Sequence, residues 1–142
     1  MIYEGCPLIE YLSLTFPSSK KHFIEFEKLL RTCKELRVLD MLDANVIEES
    51  QEVKLLYGEN LSKVLIKVAP NNLREIRFYD YFKFSLKTLE TFLESWKSSF
   101  KLSLLTSDHI YGEERYIKLI NKYKNYGVIK DFRFDSKSNI YF

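Results

Sequence analysis

The side chains with obvious chemical potential are few, and their spacing argues against most of the chemistry they could do. His22 and His109 stand 87 residues apart, and neither belongs to an HxxxH or HExxH pattern that would place two imidazoles on one metal. His22 falls on an early helical turn and reads as a surface residue. Ser107-Asp108-His109 offers a hydroxyl, a carboxylate and an imidazole, the inventory of a nucleophilic relay. A relay needs the base held between nucleophile and orienting group, which three consecutive residues on one loop do not achieve. Glu48, Glu49 and Glu52 could gather a cation, but acids before and within a first helical turn are explained by the helix dipole. Cys6 and Cys33 are 27 residues apart, neither a redox CxxC nor a metal pair, and read as small buried hydrophobes of a reducing compartment. Lys118, Lys122 and Lys124 near Tyr123 and Tyr126 come closest to a base-stacking platform, yet helical periodicity buries Tyr123. The expectation is no catalytic residue, no metal, no cofactor and no nucleic acid.

Composition narrows the class further. The 142 residues include 10 Tyr, 11 Phe and 1 Trp but only 4 Gly and 3 Pro. Average usage would supply about 17 Gly and Pro, so linker-like and collagen-like classes are out. Gly5, Gly58, Gly112 and Gly127 are too dispersed for a phosphate-cradling loop. An apolar content of 46% with a net charge of +2 argues against disorder. The charge is uneven: residues 40–60 carry six acids and one Lys, residues 97–142 nine bases and five acids. Such runs usually mark solvated helix faces. The chain opens on no secretory apolar stretch and contains no run near 18 apolar residues, so neither a signal peptide nor a membrane span is expected. A cytoplasmic or nuclear protein is the expectation.

The elements that position these residues repeat. Ile9, Leu12 and Leu14 stand at i, i+3 and i+5, as do Leu36, Leu39 and Met41. The same spacing returns in Leu73, Ile76 and Phe78 and in Ile129, Phe132 and Phe134. A weaker copy at Leu102-Ser103-Leu104 has Ser99 in the first position, with Leu102 as its middle anchor. Anchors two apart lie on one face of a strand. The intervals read as helices. Phe23, Phe26 and Leu30 follow Pro17-Ser18-Ser19, whose serines can cap. Val53, Tyr57, Leu61, Val64, Leu65 and Val68 form a second stripe ended by Pro70, with Gly58 interrupting it. Ser85 can cap a third helix with Leu86, Leu89, Phe92, Leu93 and Trp96 inward. A fourth begins at Glu113-Glu114, buries Tyr116, Ile120 and Tyr123, and has Gly127 as its C′ residue. The fold class is therefore α/β with a parallel sheet, about five strands and four helices.

Two architectures share that alternation. A doubly wound sheet covers both faces, and its strands are nearly continuous apolar runs. Here Ser13, Asp40, Arg77, Ser103 and Arg133 separate the last two anchors of each repeat. One sheet face should then be open to water with all helices on the other, which is a leucine-rich-repeat solenoid.

Several stretches carry a resemblance. Cys6-Pro7-Leu8-Ile9-Glu10-Tyr11-Leu12-Ser13-Leu14 and Ala69-Pro70-Asn71-Asn72-Leu73-Arg74-Glu75-Ile76-Arg77-Phe78 are two of them. Phe82-Lys83-Phe84-Ser85-Leu86-Lys87-Thr88-Leu89-Glu90 and Gly127-Val128-Ile129-Lys130-Asp131-Phe132 are the others. In order, over nearly the whole chain, they resemble the leucine-rich-repeat region of fungal F-box-like proteins. The resemblance implies a non-catalytic ubiquitin-ligase adaptor whose repeats select the substrate. Residues 1–142 read as one leucine-rich-repeat domain with the F-box itself absent, expected to be either the C-terminal part of a longer F-box-type protein or a short family member without ligase docking.

The open strand face is the expected functional surface. Outward positions are Tyr11, Ser13 and Thr15, then Val38, Asp40 and Leu42, then Glu75, Arg77 and Tyr79. Lys101, Ser103 and Leu105 follow, and last Asp131, Arg133 and Asp135. Tyr11, Ser13, Asp40, Glu75, Arg77, Tyr79, Asp131 and Arg133 are the candidate partner-binding residues, tyrosine and arginine being the usual anchors of protein recognition. Asp40 and Arg77 could instead simply pair across strands. The expected partner is a protein, with no membrane and no nucleic acid, and the chain itself a monomer. Two rivals stand beside this reading: a compact α/β enzyme or regulator with its site at the strand C-terminal ends, and a truncated fragment without a partner.

Overall fold

The computed structural model describes residues 8–15, 20–42, 50–79 and 82–134 of the chain. Five strands alternate with four helices: β1 (Tyr11–Thr15), α1 (Lys20–Thr32), β2 (Val38–Leu42), α2 (Gln51–Val68) and β3 (Glu75–Tyr79). There follow α3 (Leu86–Glu94), β4 (Leu102–Thr106), a 3-10 turn over His109–Gly112, α4 (Glu114–Asn125) and β5 (Ile129–Phe134). The strands form one parallel sheet in the order β1-β2-β3-β4-β5. Sequential order leaves each crossover the same task, and crossovers of one hand return to the same side of the sheet. Accordingly α1 packs on α2, α2 on α3 and α3 on α4.

The predicted anchors meet between sheet and helices. Leu12, Leu39, Ile76, Leu104 and Phe132 lie in one register row across all five strands. The fourth strand thus differs from expectation by two residues: Leu104, not Leu102, is level with Ile76. The last anchor place falls to Thr106, level with Phe134 and buried like the leucines, and a shift of two keeps every side chain on its face. Lys101 consequently lies before β4 rather than within it.

Local signals set the helices. The Ser50 and Ser85 hydroxyls accept the N–H of Val53 and Thr88, so both act as N-caps. Gly127, at φ +81°, takes the left-handed conformation that ends α4. The serines expected to cap α1 lie outside the described residues, as do Cys6, Glu48, Glu49 and Asp135. Cys33 is fully buried, as a small hydrophobe should be.

Aromatics fill the half of the core around β3, β4 and β5. Phe78 packs edge-on to Phe84 at 5.0 Å, to Tyr111 at 5.8 Å and to Phe132 at 6.2 Å, and Phe84 stacks on Phe92. Two phenols in this cluster satisfy one buried loop residue. Tyr116 donates to the Phe84 carbonyl at 2.8 Å, and Tyr111 accepts the Phe84 N–H at 2.9 Å. Burial raises both phenols above their usual range, Tyr111 most strongly. A folded-state value above the unfolded one means that the folded chain holds these protons longer. Their contribution is complete below the unfolded phenol value of about 10 and is lost as pH rises beyond it. Urea unfolding at pH 8, 10 and 11 should therefore show stability falling above about pH 10. Tyr111→Phe should flatten that fall, and an unchanged pH slope in the variant would contradict this role for Tyr111.

Candidate binding surface on the strands

Side chains alternate across the strands, so those between the core anchors emerge on the face away from the helices. Register brings the expected neighbours together: Tyr11, Val38, Glu75, Ser103 and Asp131 form one row. Ser13, Asp40, Arg77, Leu105 and Arg133 form the next.

A polar network runs through both rows. The Tyr11 hydroxyl donates to Asp40 Oδ2 at 2.6 Å and accepts from Arg77 Nη1 at 3.2 Å. Arg77 Nη1 lies 3.8 Å from the same Asp40 oxygen, and its guanidinium carbon stands 5.5 Å from the Tyr11 ring centroid. Arg77 Nε also donates to Glu75. Glu75 Oε2 in turn receives Arg133 at 3.4 Å from across β4, and Arg133 Nε lies 3.4 Å from Asp131 Oδ1. Ser103 and Leu105 lie in the gap that Arg133 spans, and both are buried. A short hydroxyl at 103 leaves room for this bridge, as a long side chain there would not.

The face is not uniformly open, and here expectation requires correction. Asp40 is only 5% exposed, with the Tyr11 hydroxyl and the Arg77 guanidinium against its carboxylate. Tyr79 is 8% exposed, so it cannot serve as an accessible anchor. It ends β3 at φ +52°, a left-handed conformation costing a non-glycine residue about 1–2 kcal/mol, and the Thr106 hydroxyl pins its carbonyl at 2.8 Å. Burial first, and then Asp40, raise the Tyr79 phenol; the hydrogen bond to Asp40 is the leading cause of the rise at Tyr11. What remains accessible is an outer set, Tyr11, Ser13, Asp131 and Arg133, over an inner set of Asp40, Glu75, Arg77 and Tyr79. The side chains of Thr15 and Leu42 lie outside the description.

At the C-terminal ends of β4 and β5 a groove of about 300 Å³ opens between the 3-10 turn, α4 and β5. Its walls include Ile117, Asn121 and Lys124 of α4, Phe132 and Phe134 of β5, and His109, whose ring lies 4.3 Å from that of Phe134. The sequence offered one sign of it. Tyr116, Ile120 and Tyr123 already define the buried face of α4, so Ile117 is an apolar residue on the wrong side. In the neighbouring trio, Asp108 Oδ1 accepts the Ile110 N–H at 3.0 Å and caps the 3-10 turn. Among the described residues no cluster of His, Cys, Asp and Glu is disposed to hold a metal. No helix among them is long and apolar enough to cross a membrane. Comparison with known proteins adds no relative, for no family model, curated protein or solved structure matches the chain.

Proposed function

We propose that this chain is a non-catalytic protein-binding scaffold of leucine-rich-repeat type, a solenoid whose helix-free strand face selects a protein partner. The observation that carries the reading is the organisation of that face. Side chains from β1, β2, β3 and β5 join in one cross-strand network, with Tyr11, Asp131 and Arg133 standing accessible above it. Cross-linked arginines and tyrosines are held in place before a partner arrives, which lowers the ordering cost of binding. The sequential sheet with neighbour-packed helices fits the repeat reading, since each unit then contacts chiefly the next.

In this account the chain corresponds to the substrate-selecting half of an F-box adaptor, acting as a monomer in the cytoplasm or nucleus. The rival placing a site at the strand ends draws on the groove beside β4 and β5. The carboxylate beside His109, Asp108, is engaged as a cap, which favours the scaffold.

The test is photo-crosslinking in cell extract with a benzophenone amino acid placed at one site at a time. Probes at Ser13 and at Lys87 on α3, both exposed, sample the strand face and the helix side. A discrete crosslinked protein from Ser13, competed by unlabelled chain and missing from Lys87, is the expected result. Equal labelling from both sites, or none from Ser13, would remove the strand face as the recognition surface.

A further inference from the structure

The loops that lead into β3 and β4 lie side by side at the N-terminal edge of the sheet. The Ser98 hydroxyl stands 2.8 Å from the Asn71 carbonyl and 2.7 Å from that of Leu73, and the Ser99 N–H donates to the Asn71 carbonyl at 3.3 Å. The same hydroxyl accepts the Phe100 N–H at 3.3 Å, and the Phe100 carbonyl accepts the Trp96 indole N–H at 3.1 Å. Phe100, 38% exposed, is thereby fixed against the neighbouring loop. The Arg74 guanidinium lies over its ring, 3.6 Å from the centroid, with Nε donating to the Asn72 carbonyl at 3.2 Å. One hydrogen bond and one stacked face orient the group. Both Nη atoms are left without a hydrogen-bond partner among the described residues.

The surroundings are cationic. Lys97 and Lys101 flank Phe100 in its loop, and Lys130 stands near the start of β5. All three are exposed and form no ion pair among the described residues. The Lys101 chain reaches toward the next loop, its Cε 4.0 Å from where a Cβ at Gly127 would stand. The acids of this edge are engaged: Glu10 with Arg37 at 3.1 Å, Glu35 with the Asn72 amide at 3.1 Å, and Glu94 with the Tyr123 phenol.

We propose that this edge takes an acidic segment of a protein partner, the Arg74 fork gripping an aspartate or glutamate carboxylate while Lys97 and Lys101 hold its acidic neighbours. The proposal rests on the scaffold reading for the partner being a protein, and its chemistry lies apart from the strand-face network. With Nε engaged, the two Nη atoms remain, and a planar fork suits the two oxygens of a carboxylate. A guanidinium already stacked and bonded loses little freedom on binding. The ring face beneath it is closed to a nucleic-acid base, which favours a carboxylate over a nucleotide.

Fluorescence anisotropy of a labelled, end-blocked hexaglutamate peptide tests the site, with hexaglutamine and a thymidine hexanucleotide as the alternative probes. The full chain should bind hexaglutamate and not hexaglutamine. Arg74→Lys keeps the charge but loses the fork, and should weaken binding by about 5-fold or more. Lys101→Gln should weaken it by about 2-fold, while Lys87→Gln, the same loss of charge on α3, should leave it unchanged. Tyr11→Ala/Arg133→Ala should also leave it unchanged, so the edge and the strand face are tested separately. No binding of hexaglutamate, full binding by Arg74→Lys, or equal losses from Lys87→Gln and Lys101→Gln would overturn the proposal. So would loss of binding in the Tyr11→Ala/Arg133→Ala variant, or tighter binding of the hexanucleotide than of hexaglutamate.

Discussion

Gly58→Ala will destabilise the chain by about 3 kcal/mol, opposite in sign to what alanine usually does within a helix. Gly58 sits in the middle of α2 with normal helical surroundings along the chain, where glycine ordinarily costs about 1 kcal/mol relative to alanine. The reason for it lies in a neighbouring segment. The stretch between β3 and α3 passes directly over Gly58, and a Cβ there would overlap the Lys83 carbonyl oxygen and sit 2.6 Å from the carbonyl carbon. Backbone cannot rotate away as a side chain can. The same contact is held by Lys83 N–H donating to the Lys54 carbonyl of α2 at 3.0 Å. On either side Phe82 and Phe84 are fully buried, so displacing Lys83 withdraws two aromatic side chains from the core. The measurement is a urea or thermal unfolding curve, with a Tm loss of roughly 6–12 °C expected for a chain of this size. Gly112→Ala is the control: a Cβ at Gly112 meets nothing within 4 Å, and its effect should stay within about 0.5 kcal/mol. A stabilised Gly58→Ala variant would refute the close approach of this segment to α2.

Arg77→Leu should cost about 2–3 kcal/mol, less than the full penalty of a severed buried pair because the Arg77 side chain is 30% exposed. The loss falls mainly on Asp40. With the guanidinium removed, a carboxylate buried under its neighbours keeps the Tyr11 hydroxyl but loses its facing cation. Glu75 loses the same partner and retains Arg133. Asp40→Asn alone should destabilise by about 1 kcal/mol, since an amide oxygen still accepts from Tyr11. Added to Arg77→Leu, it should be neutral or restore stability, because the uncompensated charge disappears. Additive losses in the double variant would show that Asp40 and Arg77 act independently.

This second prediction also bears on function. Changes at Asp40, Glu75, Arg77 or Tyr79 alter the support of the face, and a lost partner there would not distinguish contact from collapse. Tyr11 and Arg133 are the informative positions, each about half exposed at the ends of the network.

Much of this fold was legible because its anchors recur at fixed offsets within each unit even though the units differ in length. The i, i+3, i+5 pattern locates β1, β2, β3 and β5 and predicts the Asp40–Arg77 adjacency that the register shows. It misplaces β4 by two residues because the last anchor place, level with Phe134, is held by Thr106, so the apolar pair two apart is Leu102 and Leu104 instead. Alternation also assigns the correct side of the sheet to every candidate residue, but side is not exposure. Asp40 is buried by the reach of Tyr11 and Arg77, a property of neighbours 29 residues upstream and 37 downstream that no local pattern carries. Tyr79 follows the alternation and is then covered after a left-handed turn at its own backbone. Gly58 looked like a flaw in the α2 stripe because its reason, the Lys83 backbone, belongs to a different unit. The 3-10 turn over His109–Gly112 is too short to leave a periodic signal, and the groove beside it follows from three elements meeting.

The central claim is that the strand face, and not the helix side, meets a partner protein. Crosslinking from Ser13 against Lys87 tests it most directly when the Ser13 probe is read with and without Tyr11→Ala/Arg133→Ala. The account predicts one competed adduct from Ser13, lost in the double variant while its unfolding curve stays cooperative, and none from Lys87. An adduct that survives the double variant, or that forms as readily from Lys87, would contradict it.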